Sequence, residues 1–512
     1  MIKIRTLLLF FAFFEGFCVM AVELFSAKLI APYFGSSLYV WASVLGITLL
    51  SLMIGYYSGG LISKKKNKSQ LLFIILALSG IFISLIPISG NFIMNQLIDY
   101  SVAIGSSISL LFYMLPALIG LGMTSPLIIS ILNERVDDSG KTAGLIYGIS
   151  TLGGVIGVFT TGFYLLPEFG ISFPSYSIGL ILSILSILPL IAKKINSLVL
   201  IIPFFFIGTK LSAIGKLKEG KKLVYHSEGV MGQIKVLDTP FYTISRGAKY
   251  GRVLLVNNTA QTIGDLYNPE RDLWDYSYYF PYVVSDFPEN SELLLLGLGG
   301  GSLVHHFERL KFKMDIVEID ERVKEVAQKY FKVSSNHNFF INDARNFINT
   351  CKKKYDIIVL DLFLNETPPI QMLTQESISK IQNLLNEKGR IIINFYGYTS
   401  GEKGLAARSV LSTIESTGLI TEILPTPGNE NHRNLIFIAQ KEKIDLSSCN
   451  YQLPDLPILS NIQESFIDQS KLIQDGRILK DDIPVMEKMY LKAALDWRRD
   501  AINFNLKNYF EN

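Results

Sequence analysis

Charge is what this sequence has least of. Asp, Glu, Lys and Arg together make up 18% of its 512 residues, against about a quarter in an ordinary soluble domain. With 49% hydrophobic residues and a mean hydropathy of +0.32, a uniformly soluble chain is excluded, and one strongly apolar region joined to one ordinary region is expected. Charge of a single sign is missing as well. The 48 Lys+Arg and 45 Asp+Glu leave a formal net charge of +3, without the basic excess of a dedicated nucleic-acid binder, so nucleic acid is not expected as a partner. Cysteine is scarce: Cys18, Cys351 and Cys449 are odd in number and far apart. That excludes a disulfide framework and a thiolate zinc site, and no metal site is expected.

Long apolar runs are abundant up to about residue 209. Each is close to the roughly 20 residues a helix needs to cross a bilayer. Spans are expected at Leu7–Ile30, Tyr39–Ile62, Leu71–Ile88, Ser106–Leu132, Ala143–Leu165 and Ser172–Ile191. A shorter run, Leu198–Gly208, is interrupted by Pro203; it is a seventh span, a re-entrant hairpin or an interfacial helix, and a non-spanning segment is expected because the basic stretch Lys216–Lys222 follows it at once. The first run reads as a span and not a signal peptide, because it is long, contains Glu15 and Glu23, and is followed by further runs.

Lys3, Arg5, Lys64–Lys66, Lys68 and Lys193–Lys194 flank alternate ends of the runs, which places those ends in the cytoplasm. The chain is thus expected to be a multi-pass protein of the cell (inner) membrane, with the lipid bilayer as a partner and its C-terminal half cytoplasmic. Glu23 and Lys28 near the end of the first span mark a polar pathway or small-molecule site, or form an internal ion pair, or Lys28 snorkels to the interface. Gly46, Gly55, Gly59 and Gly60 in the second span, and Gly153, Gly154 and Gly157 in the fifth, are expected at close helix contacts.

Beyond Val224 the pattern changes. Val224–Asp238, Phe241–Ser245 and Arg252–Asn257 read as strands of a small antiparallel sheet, with Asn257–Asn258 as a turn. After Tyr276 strands and helices alternate: strands Leu293–Gly297, Met314–Glu318, Phe339–Ile341, Asp356–Leu360 and Arg390–Phe395, with helices at Leu303–Leu310, Glu321–Phe331, Ala344–Thr350 and Ser377–Leu385. This predicts a doubly wound, mostly parallel sheet. The expected fold is therefore a multispanning α-helical membrane domain (1–210), a small β-strand subdomain (211–275), a Rossmann-like nucleoside-binding domain of the methyltransferase type (276–445) and a C-terminal helical extension (446–512).

The sharpest local signal is an apolar strand running into Gly297, Gly299, Gly300 and Gly301. Glycines there let the chain turn tightly and approach a ligand. Glu318 follows Gly299 by 19 positions, where a carboxylate accepts from both hydroxyls of a ribose. Asp343 and Ala344, past the third strand, are placed to lie against a purine ring. Asp361 ends the fourth strand, where open α/β sheets put their ligand crevice; it either orients an amine and takes its proton or caps the next helix. His305 and His306 are adjacent on a helix, a spacing that suits structure better than metal binding.

These segments resemble the spermidine synthase family, the polyamine aminopropyltransferases. The resemblance rests on the glycine turn, Val-Glu-Ile-Asp at Val317–Asp320, Asn342–Arg345, and the strand ending at Asp361. More narrowly the chain looks like the fused members with a membrane module, through Leu29–Trp41, and Leu479–Pro484 is similar to the family's closing segment. What the resemblance implies is transfer of an aminopropyl group from decarboxylated S-adenosylmethionine to putrescine or a related amine. No cofactor is bound permanently, and a homodimer is compatible with it. By the same resemblance Gln233 holds the nucleoside, Glu318 the ribose and Asp343 the adenine, while Asp361 handles the amine and Gln261 also faces the site.

The departures are at Ser302 and Leu364, where the family carries acids, and at Tyr276–Tyr279, where soluble synthases carry a His-Glu pair. Glu366 is the candidate substitute for the missing carboxylate. Fewer acids make a weaker trap for a diamine dication. Two other readings stay open: methyl transfer from ordinary S-adenosylmethionine on the same fold, and a non-catalytic membrane carrier or scaffold with a nucleoside-binding domain.

Overall fold

A computed structural model describes residues 2–35, 37–133, 139–192, 217–240, 250–268, 271–363, 369–451, 462–483 and 485–509. It forms two compact units, one of Met1–Lys216 with Ser227–Gln233, the other of Leu217–His226 with Ile234–Asn512.

The first unit is helical: α1 (Ile2–Phe34), α2 (Leu38–Ile62), α3 (Lys68–Leu97), α4 (Val102–Tyr113), α5 (Leu115–Leu132), α6 (Ser139–Thr160), α7 (Leu166–Phe169) and α8 (Ser172–Ala192). Among the described residues, six stretches are long and apolar enough to cross a bilayer. The run expected as one span over Ser106–Leu132 is two helices. Pro116 falls in the first turn of α5, where its missing N–H goes unneeded, while a continuous helix would set its ring against the preceding turn. Likewise α6 passes into a π-turn, Thr161–Leu165, before α7. Leu198–Gly208 lies outside the described residues.

Glycine sets how closely the helices approach. A β-carbon on Gly153 would sit 1.9 Å from the Phe13 carbonyl oxygen, and one on Gly157 2.8 Å from that of Phe17. The two positions advance together, so α1 and α6 run parallel. Gly55 and Gly59 meet Ile119 and Met123 in the same parallel sense, whereas Gly80 meets Ser183 and Gly179 meets Ser84, antiparallel. These senses are those of six helices alternating in direction. Lys68 at the start of α3 donates to the Ser130 carbonyl near the end of α5 at 2.7 Å, in keeping with that alternation. Gly46 and Gly60 correct the expectation: among the described residues nothing lies within 4 Å of a β-carbon at either, because they fall on the face of α2 turned away from α5. Within the bundle the buried Glu15 accepts from Ser150 at 2.8 Å and Ser125 at 3.4 Å, and Glu23 is hydrogen-bonded to Thr48.

The second unit contains two sheets. The smaller has the order β1 (Lys222–Gly229), β2 (Gly232–Pro240), β3 (Tyr250–Val256), β4 (Thr259–Asp265). The single strand expected over Val224–Asp238 is a hairpin, broken where Gly232 takes a φ of +108°. Asn257 and Asn258 make the β3–β4 turn with φ of +50° and +61°, the left-handed pair a tight hairpin requires. Phe241–Ser245 lies outside the described residues.

The larger sheet has the order β10-β11-β9-β8-β5-β6-β7, built from β5 (Glu292–Leu296), β6 (Lys313–Glu318), β7 (Asn338–Ile341), β8 (Tyr355–Leu360), β9 (Leu385–Tyr396), β10 (Ile420–Pro425) and β11 (Asn434–Gln440). Strands β5 to β9 pair in parallel and β10 and β11 antiparallel. Around them run α9 (Tyr276–Tyr282), α10 (Ser302–Arg309), α11 (Glu321–Phe331), α12 (Ala344–Thr350), α13 (Gln375–Asn383), α14 (Leu405–Glu415) and α15 (Met486–Tyr509). Apolar side chains pack both faces of the sheet, as a doubly wound topology demands. From β5 the chain proceeds to β6 on one side and later to β8 on the other, so the ligand crevice of such a fold opens at the carboxyl ends of β5 and β8. The adjacent His305 and His306 are structural, bonded to the Phe331 carbonyl (2.8 Å) and the Tyr451 hydroxyl (2.7 Å).

Candidate active site

The carboxyl end of β5 meets that of β8 through backbone alone. Gly297 has a φ of +95°, and a β-carbon on it would lie 2.1 Å from the Asp361 carbonyl oxygen. The Asp361 N–H in turn donates to Leu296 at 2.9 Å. Only glycine fits both the conformation and the approach. Gly299 (φ +54°) carries the turn onward and Gly301 (φ +85°) precedes the first turn of α10, in which Ser302 is the first helical residue. Gly300 is engaged from within: its N–H donates to Thr262 Oγ1 at 2.8 Å, and Thr262 donates onward to the Gln261 carbonyl. Strand β4 thus brings Gln261 beside the glycine turn and fixes the turn's shape through Thr262.

Glu318 ends β6, with its carboxylate accepting from the Leu298 N–H at 3.1 Å and the Asp320 N–H at 3.0 Å. The glycine turn and the strand's own end therefore aim the group together. Burial pushes its carboxyl up to about 7, against the pull of those backbone donors. Asp343 caps α12 by accepting from the Asn346 N–H at 3.0 Å, which gives it a structural duty beside its expected adenine contact; Ala344 behind it is buried.

Asp361 does not cap the next helix. Thr374 caps α13, and Asp361 Oδ1 instead accepts from Asn394 Nδ2 at 2.7 Å, while the Tyr276 hydroxyl is hydrogen-bonded to the same carboxylate. Burial pushes this carboxyl up to about 6; Asn394 pulls it down, the nearby Asp272 charge raises it and Tyr276 lowers it. Tyr276 is raised well above its ordinary value by burial and by the charges of Asp361 and Asp272. Its ring packs against Trp274 and Phe280, with centroids 5.7 and 6.1 Å away. Of the remaining candidates, Gln233 lies among the hairpin residues that group with the helical unit and donates to Glu228 at 3.3 Å. Glu366 and Leu364 lie outside the described residues.

Thr262, Tyr276, Asp272 and Asn394 were not anticipated as parts of the site. Asn394 had a readable signal, a lone amide inside the apolar strand Arg390–Phe395; it is 2% exposed, and a buried amide has to find partners.

Residues 281–400 match the family model described as "Spermine/spermidine synthase domain". Over that stretch the chain is similar to the spermine/spermidine synthase family. The matched stretch contains the glycine turn, Glu318, Asp343, Asp361 and Asn394, and begins just after Tyr276. The polyamine aminopropyltransferase 2 of Aquifex aeolicus is 25% identical over 479 residues, covering 88% of this chain and 91% of its own length. The polyamine aminopropyltransferase of Vibrio vulnificus is 34% identical over 139 residues, 25% of this chain and 46% of that protein. The N-terminal histidine N-methyltransferase of Emericella nidulans is 30% identical over 167 residues, 31% of this chain and 29% of that one. The chain thus matches less than half the length of the last two relatives.

Proposed function

We propose that this chain is an aminopropyltransferase anchored by its helical unit in a bilayer. In this reading it joins the aminopropyl group of decarboxylated S-adenosylmethionine to putrescine or a related amine. The observation that carries the reading is the juxtaposition at Gly297: the strand end bearing Asp361 lies against the turn that leads to Glu318. A carboxylate suited to a sugar diol and a carboxylate suited to an amine therefore flank one crevice. Glu318 accepts from the ribose hydroxyls and Asp343 with Ala344 borders the purine. The sulfonium is already an activated electrophile. The amine lone pair attacks the methylene carbon beside sulfur, the C–S bond breaks with its electron pair on sulfur, and methylthioadenosine leaves. The proton shed by the new secondary ammonium passes to Asp361, whose raised affinity for protons suits that duty. Most of the acceleration in such a site comes from alignment.

The six apolar helices, their alternating directions and the lysines at Lys64–Lys66 and Lys68 support a multi-pass placement with those lysines on the cytoplasmic side. By the positive-inside rule the α/β unit is then cytoplasmic too. The likeness to a histidine N-methyltransferase gives the competing outcome its place in the test. The full chain in lipid nanodiscs is incubated with decarboxylated or ordinary S-adenosylmethionine and a panel of amines, with products read by mass spectrometry. Methylthioadenosine with an aminopropylated amine is the expected result; S-adenosylhomocysteine would replace the reading by methyl transfer, and neither product would leave a nucleoside-binding membrane protein.

A further inference from the structure

Asp361 is the end of a chain of amides. Asn394 on β9 gives Nδ2 to Asp361 Oδ1 at 2.7 Å, and its own Oδ1 accepts from Nδ2 of Asn434 on β11 at 2.8 Å. Asn434 is fixed by the start of its strand: its N–H donates to Thr426 Oγ1 at 2.9 Å and its carbonyl accepts from the Thr426 N–H at 2.9 Å. The register sets Asn394 opposite Ile436 and Asn434 opposite Tyr396, so the two asparagines are diagonal neighbours on one face of the sheet, within reach of each other's side chains.

An amide has one donor end and one acceptor end, and only its surroundings decide which way it points. Were Asn394 reversed, its oxygen would face the Asp361 carboxylate. We propose that Asn434 is a positioning residue for the amine-handling carboxylate: by donating to the Asn394 oxygen it locks the Asn394 amide with its nitrogen toward Asp361, and so sets the proton affinity of that group. The other groups around Asp361 are Tyr276 on α9 and Asp272 in the segment before it; neither is bonded to Asn434, so the amide chain is a separate control on the same carboxylate. This inference rests on the reading of Asp361 as the group that takes the amine's proton, but the geometry of the chain does not depend on turnover.

The test therefore reads the carboxyl group itself. The full chain with isotope-labelled aspartate is titrated in detergent while the protonated-carboxyl stretch is followed by infrared difference spectroscopy, and the Asp361 band is assigned by its loss in Asp361→Asn. Asn434→Asp keeps the shape but offers an acceptor where a donor stood, so the Asn394 amide reverses. The Asp361 midpoint should then rise by about one pH unit or more, a tenfold change in proton affinity. The uncharged Asn434→Leu should raise it by a smaller amount. In an Asn394→Leu background Asn434→Asp should add nothing, because the relay is already cut. An unmoved midpoint in both Asn434 variants overturns the proposal, as does an equal rise in the Asn394→Leu background, which would reduce the effect to charge acting through space. If the wild-type chain makes no product with any amine while the midpoints move as stated, the functional reading fails and the relay stands.

Discussion

Two glycines separate the halves of this chain. Gly153 has ordinary helical geometry and matters for what lies outside its own helix, the Phe13 carbonyl 1.9 Å from where a β-carbon would be. Gly297 has a φ of +95° and matters twice, for its own backbone and for the Asp361 carbonyl 2.1 Å from a would-be β-carbon. The carboxylates divide in the same way. Glu15 in the helical unit is held by hydroxyls of two other helices, because the helix backbone has already used its N–H groups. Glu318 in the α/β unit is held by backbone N–H groups, because a turn leaves them over. In the helical unit side chains satisfy what the backbone cannot; in the α/β unit a turn in the backbone shapes the place where side chains do chemistry.

The largest effect should come where both demands fall on one residue. Gly297→Ala meets the left-handed penalty of about 1 to 2 kcal/mol and the clash with Asp361 together. A loss near 3 kcal/mol in stability is expected, seen as a lowered melting temperature, with product formation falling below detection. A variant that melts like wild type and turns over normally would break the contrast. Asp361→Asn should come next: turnover reduced by about 10² to 10⁴, the range for a lost general base, with nucleoside affinity by calorimetry unchanged. A parallel loss of affinity would move Asp361 to the nucleoside side of the crevice.

Much of this was legible in the residues, and what escaped has a common cause. Asn257–Asn258 and the four glycines declare themselves locally, since a turn is set by the few residues that make it. Thr262 meets Gly300 from 38 positions away, and Asn434 meets Asn394 from 40; neither partner can be chosen until the strand order is known. Gly46 and Gly55 lie nine residues apart on one helix, and only the neighbour that α2 packs against decides that one is a contact and the other is not. The sequence leaves a cap at Asp361 open for the same reason: Thr374 takes the helix, and the carboxylate is left for Asn394 and Tyr276.

Glu318 offers a smaller effect with a pH signature. Glu318→Ala should weaken nucleoside binding about tenfold, ~1.4 kcal/mol. In the wild type the carboxyl is raised from 4.5 to about 7 by burial, so the folded state prefers it protonated. Its contribution to stability is complete below pH 4.5 and is lost as pH rises toward 7. Accepting from two ribose hydroxyls requires the ionised form, so binding releases a proton and strengthens over the upper part of that window. Methylthioadenosine should therefore raise the melting temperature more at pH 8 than at pH 6, and Glu318→Ala should erase that difference. An equal rise at both values would mean that the diol is held by something else.

Gly153→Ala should have the smallest effect on the crevice, and it isolates the other half of the comparison. The added methyl has no backbone penalty, since alanine is the best helix former, so any loss comes from α1 and α6 being forced apart where Gly153 meets Phe13 and Gly157 meets Phe17. Small-residue contacts of this kind let helix backbones approach in lipid, and removing one should lower stability by about 1 to 2 kcal/mol. Nucleoside affinity in the same preparation should not move. Gly46→Ala on α2 is the control: its β-carbon meets nothing within 4 Å, so it should be neutral or slightly stabilising. If the two substitutions prove equally damaging by thermal unfolding in nanodiscs, glycine in this bundle is serving flexibility and not contact, and the distinction from Gly297 disappears.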